Sequence, residues 1–283
     1  MIRKFDVVHD KGYEEEAGFL VEKFQAHLYK RDTIQPNLVI VLKGDGGISE
    51  EGKNQMKRYN PDAIILGVKK PKKKDIPYSR GTLAQVKDWR DIEKYISMID
   101  RGKYQIVDHN AVDLIILDAV SRSAFSEVLA IRDSKVSNQT IKFHLYWYPK
   151  SEDYRKEKLK LFTGYFTDGL IAADGAVIGP LLGQGGYQKT AGVPEYNKGI
   201  GVGLVAPSVE KKDVLASLFE LIFHREVLPK GFVAPEDSTI EFELKRGNGF
   251  IFADHDYVVD INPDALSKFQ VKKSEERVRF IKF

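Results

Sequence analysis

The first hundred residues alternate between short apolar runs and amphipathic stretches. Ile2 to Val8 is a β-prone run, and Tyr13 to Lys30 carries Phe19, Leu20, Phe24 and Leu28 at the spacing of one helical face. Leu38-Val-Ile-Val-Leu42 is continuously apolar, the pattern of a strand covered on both faces. Ser49 can cap a helix reaching about Tyr59, Ala63 to Leu66 reads as the next strand, and Ile92 to Ile99 as a helix ended by Gly102. This β-α-β-α-β order predicts an α/β domain with a Rossmann-like parallel sheet in three layers. Its loops at the strand carboxyl ends are the default site.

After Tyr104 the texture changes to many short strand-like segments separated by turns. They fall around residues 111–117, 125–132, 140–148, 160–166, 169–173, 239–244, 249–252, 257–261 and 278–283. The pattern predicts an all-β C-terminal domain, antiparallel and sandwich-like. With no tandem repeat and no low-complexity linker, the division is placed at residues 1–106 and 107–283, with the site expected in the crevice between the domains. The apolar segments at Ala111–Leu117 and Tyr146–Tyr148, read as exposed, predict burial in a homodimer or homotetramer.

Composition narrows the function. Hydrophobic residues are 42% of the 283 and charged residues 30%, enough to bury a core. Cys is absent, which excludes disulfides, Cys-ligated metal and thiol catalysis. The 44 Lys and Arg against 41 Asp and Glu leave a net charge of +3, a mixed surface that argues against nucleic acid as a partner. It still allows a local pocket for an anionic small molecule. The start, Met1-Ile-Arg-Lys-Phe-Asp-Val, carries no signal-like apolar region, and the longest apolar runs are too short to span a bilayer. A cytoplasmic protein with no membrane partner is expected. The six histidines show no metal-ligand spacing, so no protein-held metal is assigned. Neither a Walker loop nor a Gly-x-Ser-x-Gly elbow occurs.

Two glycine signals remain. Lys43-Gly44-Asp45-Gly46-Gly47 follows the apolar strand and precedes a helix start, where glycines let phosphate approach backbone N–H groups. A carboxylate there can accept a hydroxyl proton or help hold Mg²⁺. A plain strand-to-helix turn uses the same residues. Eleven of the 23 glycines fall between Gly164 and Gly203, including Gly183-Gln184-Gly185-Gly186-Tyr187, which suits a nucleotide beside an aromatic ring or, equally, a flexible surface loop. Lys69 to Lys74 reads as a solvated charge run, and Trp147 as core or oligomer interface. His255, flanked by Asp254 and Asp256, fits a surface turn about as well as a site.

In order and flanks these signals resemble the NAD kinase family, over roughly residues 36 to 283. The family's Gly-Gly-Asp-Gly-Thr loop is similar to Lys43–Gly47, and its Gly-x-Leu-Gly-Phe turn to Gly81-Thr82-Leu83-Ala84-Gln85. Its Asn-Glu pair resembles Ser126-Glu127, its Asp-Gly-Leu strand Asp168-Gly169-Leu170, and its turn to Tyr the segment from Gly183 to Tyr187 with Thr190-Ala191-Gly192. Arg225 to Pro229 and the hairpin pair Asp254-His255 complete the likeness. Lys43 stands for the first loop Gly, Gly47 for Thr, Ser126 for Asn and Gln85 for Phe, while Ala172 to Leu182 departs from the family altogether.

The resemblance implies transfer of the γ-phosphoryl of ATP to the adenosine 2′-hydroxyl of NAD, with Mg²⁺. Asp45 is then the base or metal-side carboxylate, and Gly44, Gly46 and Gly47 offer N–H groups to phosphate. Arg80 and Gly81, heading their turn, also fall to the nucleotide. Ser126 and Glu127 hold the adenine or amide edge, Asp168 the carboxamide or ribose, and Tyr187 lines the adenine pocket. Thr190, Asp254 and His255 complete the nucleotide side. Two alternatives stay open: a relative that holds NAD(P) without turnover, and a kinase acting on a lipid or other small alcohol.

Overall fold

The computed structural model describes residues 2–44, 47–48, 50–51, 54, 62–72, 84–135, 140–148, 159–160, 170–185, 187–206, 231–254 and 256–283. Two compact units result: Met1–His109 with Arg277–Phe283, and Asn110–Glu276. The sequence reading places residues 277–283 with the second unit, whereas the structure places them with the first. Arg279 and Phe280 pair in parallel with Ile64 and Ile65, a long-range partnership that leaves no local pattern.

The first unit is built from β1 (Lys4–His9), α1 (Glu14–Ala26), β2 (Lys30–Arg31), β3 (Leu38–Lys43), β4 (Ile64–Lys69) and α2 (Ile92–Asp100). All four strands run parallel, β1 pairing with β2 and β3, and β3 with β4. Glu14, Glu15 and Glu16 sit in the first turn of α1, where negative charge favours the helix dipole. The helix stops at Ala26 rather than Lys30, because Leu28 adopts φ 65° and turns the chain into β2. Ala17, Leu20 and Phe24 of α1 share one core with Ile92, Ile96 and Ile99 of α2 and with Phe5, Leu38, Ile40, Leu42 and Leu66 of the sheet. Val39, Val41 and Ile65, on the alternate positions, are fully buried too, so the sheet is covered on both faces.

The chain continues with β5 (Gln105–Ile116), β6 (Ala119–Ala124), β7 (Val128–Arg132), β8 (Ile141–Tyr148), β9 (Leu159–Lys160), β10 (Ile171–Ala173), β11 (Gly175–Gly179), α3 (Tyr187–Thr190), β12 (Ile200–Val205), β13 (Gly231–Ala234), β14 (Thr239–Arg246), β15 (Gly249–Ala253), β16 (Asp256–Ile261) and β17 (Lys268–Lys282), of which the start of β5 and the end of β17 fall in the first unit and the rest in the second. Six of these form one antiparallel sheet in the order β13-β12-β11-β7-β15-β16. Strands β9, β10, β8, β14 and the first part of β17 form a second antiparallel layer. Both layers contribute to one core, with Val128, Ile178 and Ile251 from the first and Phe143, Phe242 and Phe269 from the second. Phe242 stacks on Phe143 at 4.5 Å and on Phe269 at 4.9 Å. The short strands thus give a separate antiparallel sheet and the antiparallel part of a mixed sheet, which β17 continues into the parallel strands through β4.

Two expectations are corrected here. Part of the glycine-rich segment is sheet, because β11 and β12 carry Gly175, Gly179, Gly201 and Gly203. A Cβ on Gly175 would overlap the backbone of Ala130, so this glycine lets strands approach rather than making a loop flexible. The apolar segments at Ala111–Leu117 and Tyr146–Tyr148, expected to be exposed, are largely buried. Val112 and Leu114 belong to the core, Ala111 and Tyr146 are buried, and Trp147 packs on the core with its Nε1–H donating to Ser238 Oγ at 2.7 Å. Leu117, which ends the first segment, is nonetheless 83% exposed, with Val120 also open at the β5–β6 turn.

Candidate functional site

At the carboxyl end of β3, the register sets Lys43 beside Lys69 of β4. Gly44 O accepts from Ile48 N at 2.9 Å, so the chain turns directly into helical residues 47 and 48. Lys43 Nζ pairs with the buried Glu51 carboxylate at 3.3 Å. A Cβ on Gly47 would lie 2.9 Å from both Cβ and Cδ of Lys43. The two departures from the family loop are therefore in contact, and Lys43 occupies the room a side chain at 47 would need. Asp45, Gly46, Arg80 and Gly81 lie outside the described residues. Gln85, which stands where the family has Phe, accepts from Gly67 N at 2.7 Å through its side-chain oxygen. Lys70 departs from the expectation of a solvated run. It is mostly buried, pairs with Asp10 at 2.9 Å and lies 5.6 Å over the Tyr13 ring.

A second cluster forms at one end of the six-stranded sheet. Ser126 and Glu127 lie in the turn between β6 and β7, and Asp254 follows β15. Pairing of Ala253 with Val128 brings the two segments together. Asp254 sits in the left-handed region at φ 50°, which Asp tolerates better than most residues. Its carboxylate accepts three successive backbone N–H groups: Phe125 at 2.9 Å, Ser126 at 2.6 Å and Glu127 at 3.4 Å. Asp254 N returns a bond to Glu127 O at 3.0 Å. The Asp254 carboxylate thus serves the turn's framework. Glu127 is only 4% exposed, and burial, with the Asp254 charge adding to it, pushes its carboxyl up to about 7. A carboxyl titrating there can donate or accept a hydrogen bond near neutral pH.

Behind this turn lies Gln188 of α3, wholly buried. Its Nε2 donates to Pro180 O at 2.9 Å and to Ser126 O at 3.3 Å, and its Oε1 accepts from the Tyr196 hydroxyl at 2.8 Å. Gln184 Nε2 reaches Tyr196 O at 3.1 Å. Sequence reasoning missed Gln188 and Tyr196. The available signal was an amide beside the matched Tyr187 and a second tyrosine eight positions on. Tyr187 is 47% exposed and Thr190 exposed, next to this cluster on α3. Asp168 and His255 lie outside the described residues. Among the described residues no group of three His, Cys, Asp or Glu side chains could hold a metal ion.

With this geometry in hand, solved structures supply the frame. An NAD kinase from Archaeoglobus fulgidus, in complex with ATP, aligns with TM-score 0.63 at 15% identity, covering 98% of this chain and 92% of that one. Yeast NADH kinase, complexed with NADH, aligns with TM-score 0.66 at 12% identity, covering 100% of this chain and 84% of that one. The chain has an NAD kinase-like fold. The NAD kinase-like fold accounts for essentially every residue, so both units and the two clusters above belong to it rather than to an appended module. The sequence itself matches no protein-family model and no curated protein. Among the described residues no helix is long and apolar enough to cross a membrane.

Proposed function

We propose that the chain is an NAD kinase-like phosphotransferase that moves the γ-phosphoryl of ATP to the adenosine 2′-hydroxyl of NAD, giving NADP. The observation that carries the reading is the Ser126–Glu127 turn. In a chain of this fold, a polar pair is pinned at a sheet end with a carboxyl that changes charge near neutral pH. Phosphoryl transfer is mostly positioning and charge neutralisation, so a chain needs few reactive groups of its own. Asp45 takes the 2′-hydroxyl proton, and the loop N–H groups of Gly44, Gly46 and Gly47 hold phosphate. Ser126 and Glu127 hold the adenine or amide edge, with Tyr187 alongside. Asp168, Arg80, Gly81, Thr190 and His255 complete the nucleotide contacts, and Asp254 shapes the turn. Mg²⁺ accompanying ATP would neutralise phosphate charge, and Asp45 is the carboxylate that would help hold it. A cytoplasmic location goes with this substrate pair.

A second reading, an NAD(P)-binding relative without turnover, is favoured by one observation: Gly47 offers no hydroxyl, and Lys43 fills its place. A coupled assay of NADP formation from NAD and Mg·ATP decides between the two. It should include NADH as acceptor and polyphosphate as donor. Turnover with any of these supports the kinase. Binding of NAD or NADP by calorimetry without turnover supports the relative, and a melting-temperature rise only with a lipid headgroup or other small alcohol moves the substrate class instead.

A further inference from the structure

We infer that Gln188 is a positioning residue: its buried amide clamps the carbonyl of Ser126 and so sets how Ser126 and Glu127 face a bound dinucleotide. The dinucleotide half of this rests on the function proposed above; the clamp itself rests on geometry alone.

A primary amide with no solvent contact must place two N–H donors and one acceptor inside the protein. The carbonyls of Pro180 and Ser126 can only accept, which fixes Nε2 toward them and Oε1 toward Tyr196. The Tyr196 phenol has a single proton. Its contact to Gln188 Oε1 at 2.8 Å is shorter than that to Gly179 O at 3.2 Å, so the proton goes chiefly to the amide. Burial raises the Tyr196 hydroxyl far above neutral pH, which keeps it a donor.

The clamp is closely fitted. A Cβ on Gly179 or Gly183 would overlap Ser126 O, and a Cβ on Gly201 would overlap Gln188 Oε1. Residue 126 is therefore held from both sides of its backbone. Asp254 takes its N–H at 2.6 Å, and Gln188 takes its C=O. With both peptide planes fixed, the directions of the Ser126 and Glu127 side chains follow. An apolar side chain of equal volume would fill the space, but it would take the amide away from Ser126 O and leave the phenol to Gly179 O.

The test uses the full chain with Gln188→Leu, Gln188→Glu and Tyr196→Phe. Gln188→Glu keeps the shape and the acceptor for Tyr196 but replaces the two amide donors by at most one O–H. The first readout is hydrogen exchange of the Phe125, Ser126 and Glu127 amides without ligand. The second is NAD and NADP affinity by calorimetry, with KM and kcat measured separately. For Gln188→Leu and Gln188→Glu, exchange at 125–127 should rise about ten-fold while that at Ile240 and Phe242 stays unchanged. The NAD dissociation constant should rise about ten-fold, as expected for one lost buried hydrogen bond, appearing in KM with kcat changed less than about two-fold. Tyr196→Phe should give the same pattern at about three-fold, and it decides the matter if the Gln188 variants do not fold. A lower melting temperature with unchanged exchange at 125–127 overturns the clamp. Faster exchange with unchanged NAD affinity in a folded variant overturns the ligand-facing role. If the unaltered protein binds neither NAD nor NADP, the proposed function and the dinucleotide half fall together, while the exchange readout still upholds or overturns the clamp.

Discussion

The loop after β3 and the turn before β7 are both sites the family resemblance singles out, yet they are held differently. At the first, one strand end runs into helical residues through Gly44, and the nearest fixed charge is the Lys43–Glu51 ion pair. At the second, strand ends of β7, β11 and β15 converge, and Asp254 and the buried Gln188 fix the two peptides that flank Ser126. Substitution from the family pattern has different consequences at each. In the loop, Lys43 and Gly47 both depart from the pattern and share one space. In the turn, Ser126 changed while the scaffold of glycines, Asp254 and Gln188 surrounds its backbone rather than its side chain. The chemistry should therefore fail sharply in the loop and degrade in steps at the turn.

The sharpest break is Asp45→Asn. It preserves size and deletes the charge, so fold and NAD binding should persist while turnover falls about 10²- to 10⁴-fold, the usual cost of a lost general base. NADP formation at the original rate would make Asp45 a turn residue and the comparison empty on the loop side.

Next comes Asp254→Ala, which removes the acceptor of three backbone N–H groups. Charge-assisted bonds left unmade at a partly buried turn should cost about 2–3 kcal/mol of stability, read by urea denaturation. The φ of 50° is unfavourable for Ala and adds to the loss. Asp254→Gly should recover only the backbone part. A variant as stable as the parent would show that the turn stands without its carboxylate.

Glu127 gives the third effect and separates the loci by pH. Its folded value of about 7 lies above its ordinary 4.5. A carboxyl raised on folding costs stability above its unfolded value, so the penalty begins near pH 4.5, grows to about pH 7 and is constant beyond. At 1.36 kcal/mol per unit, the ceiling is on the order of 3 kcal/mol. Glu127→Gln should therefore be more stable than the parent at pH 8, with the difference vanishing by about pH 4. NAD affinity should rise with pH through an inflection near 7, where Glu127 becomes an acceptor, and Asp254→Asn should move that inflection down. A pH-independent difference between Glu127→Gln and the parent would refute the assignment.

Much of the frame was legible because burial has a period. Leu38 to Leu42 announced a doubly covered strand, and Phe19, Leu20 and Phe24 a helix face. The glycine segment misled, since Gly175 and Gly203 are spaced by strand packing against Ala130 and Ala191, and close approach has the same composition as flexibility. The turn's polar scaffold was legible only in part: the resemblance pointed to Asp254 but not to its bonds with residues 125–127, and not to Gln188. Asp254 and Gln188 are far from Ser126 in sequence, 128 and 62 positions away, and only the sheet register joins them. The same holds for residues 277–283, whose partner Ile64 is fixed by parallel pairing across the chain.

The smallest effect sharpens the loop side. Restoring the family residue by Gly47→Thr alone should not tighten NAD, because its Cβ would sit 2.9 Å from Lys43 Cβ, an atom that cannot swing away without moving the strand end. A modest overpacking cost of about 1 kcal/mol is expected for the single variant. Lys43→Gly alone empties the space but abandons Glu51, which is buried and loses a cationic partner at 3.3 Å. Together the two changes remove the clash, so their stability effects should be non-additive by about 0.5–1.5 kcal/mol in the favourable direction. Adding Glu51→Gln to the pair should recover part of what Glu51 loses. A double-mutant cycle by thermal denaturation measures the coupling, and calorimetry on the double variant shows whether a hydroxyl at 47 then strengthens NAD binding. Additive effects within error would mean that Lys43 and Gly47 diverged independently, and that the loop, unlike the turn, tolerates each change on its own.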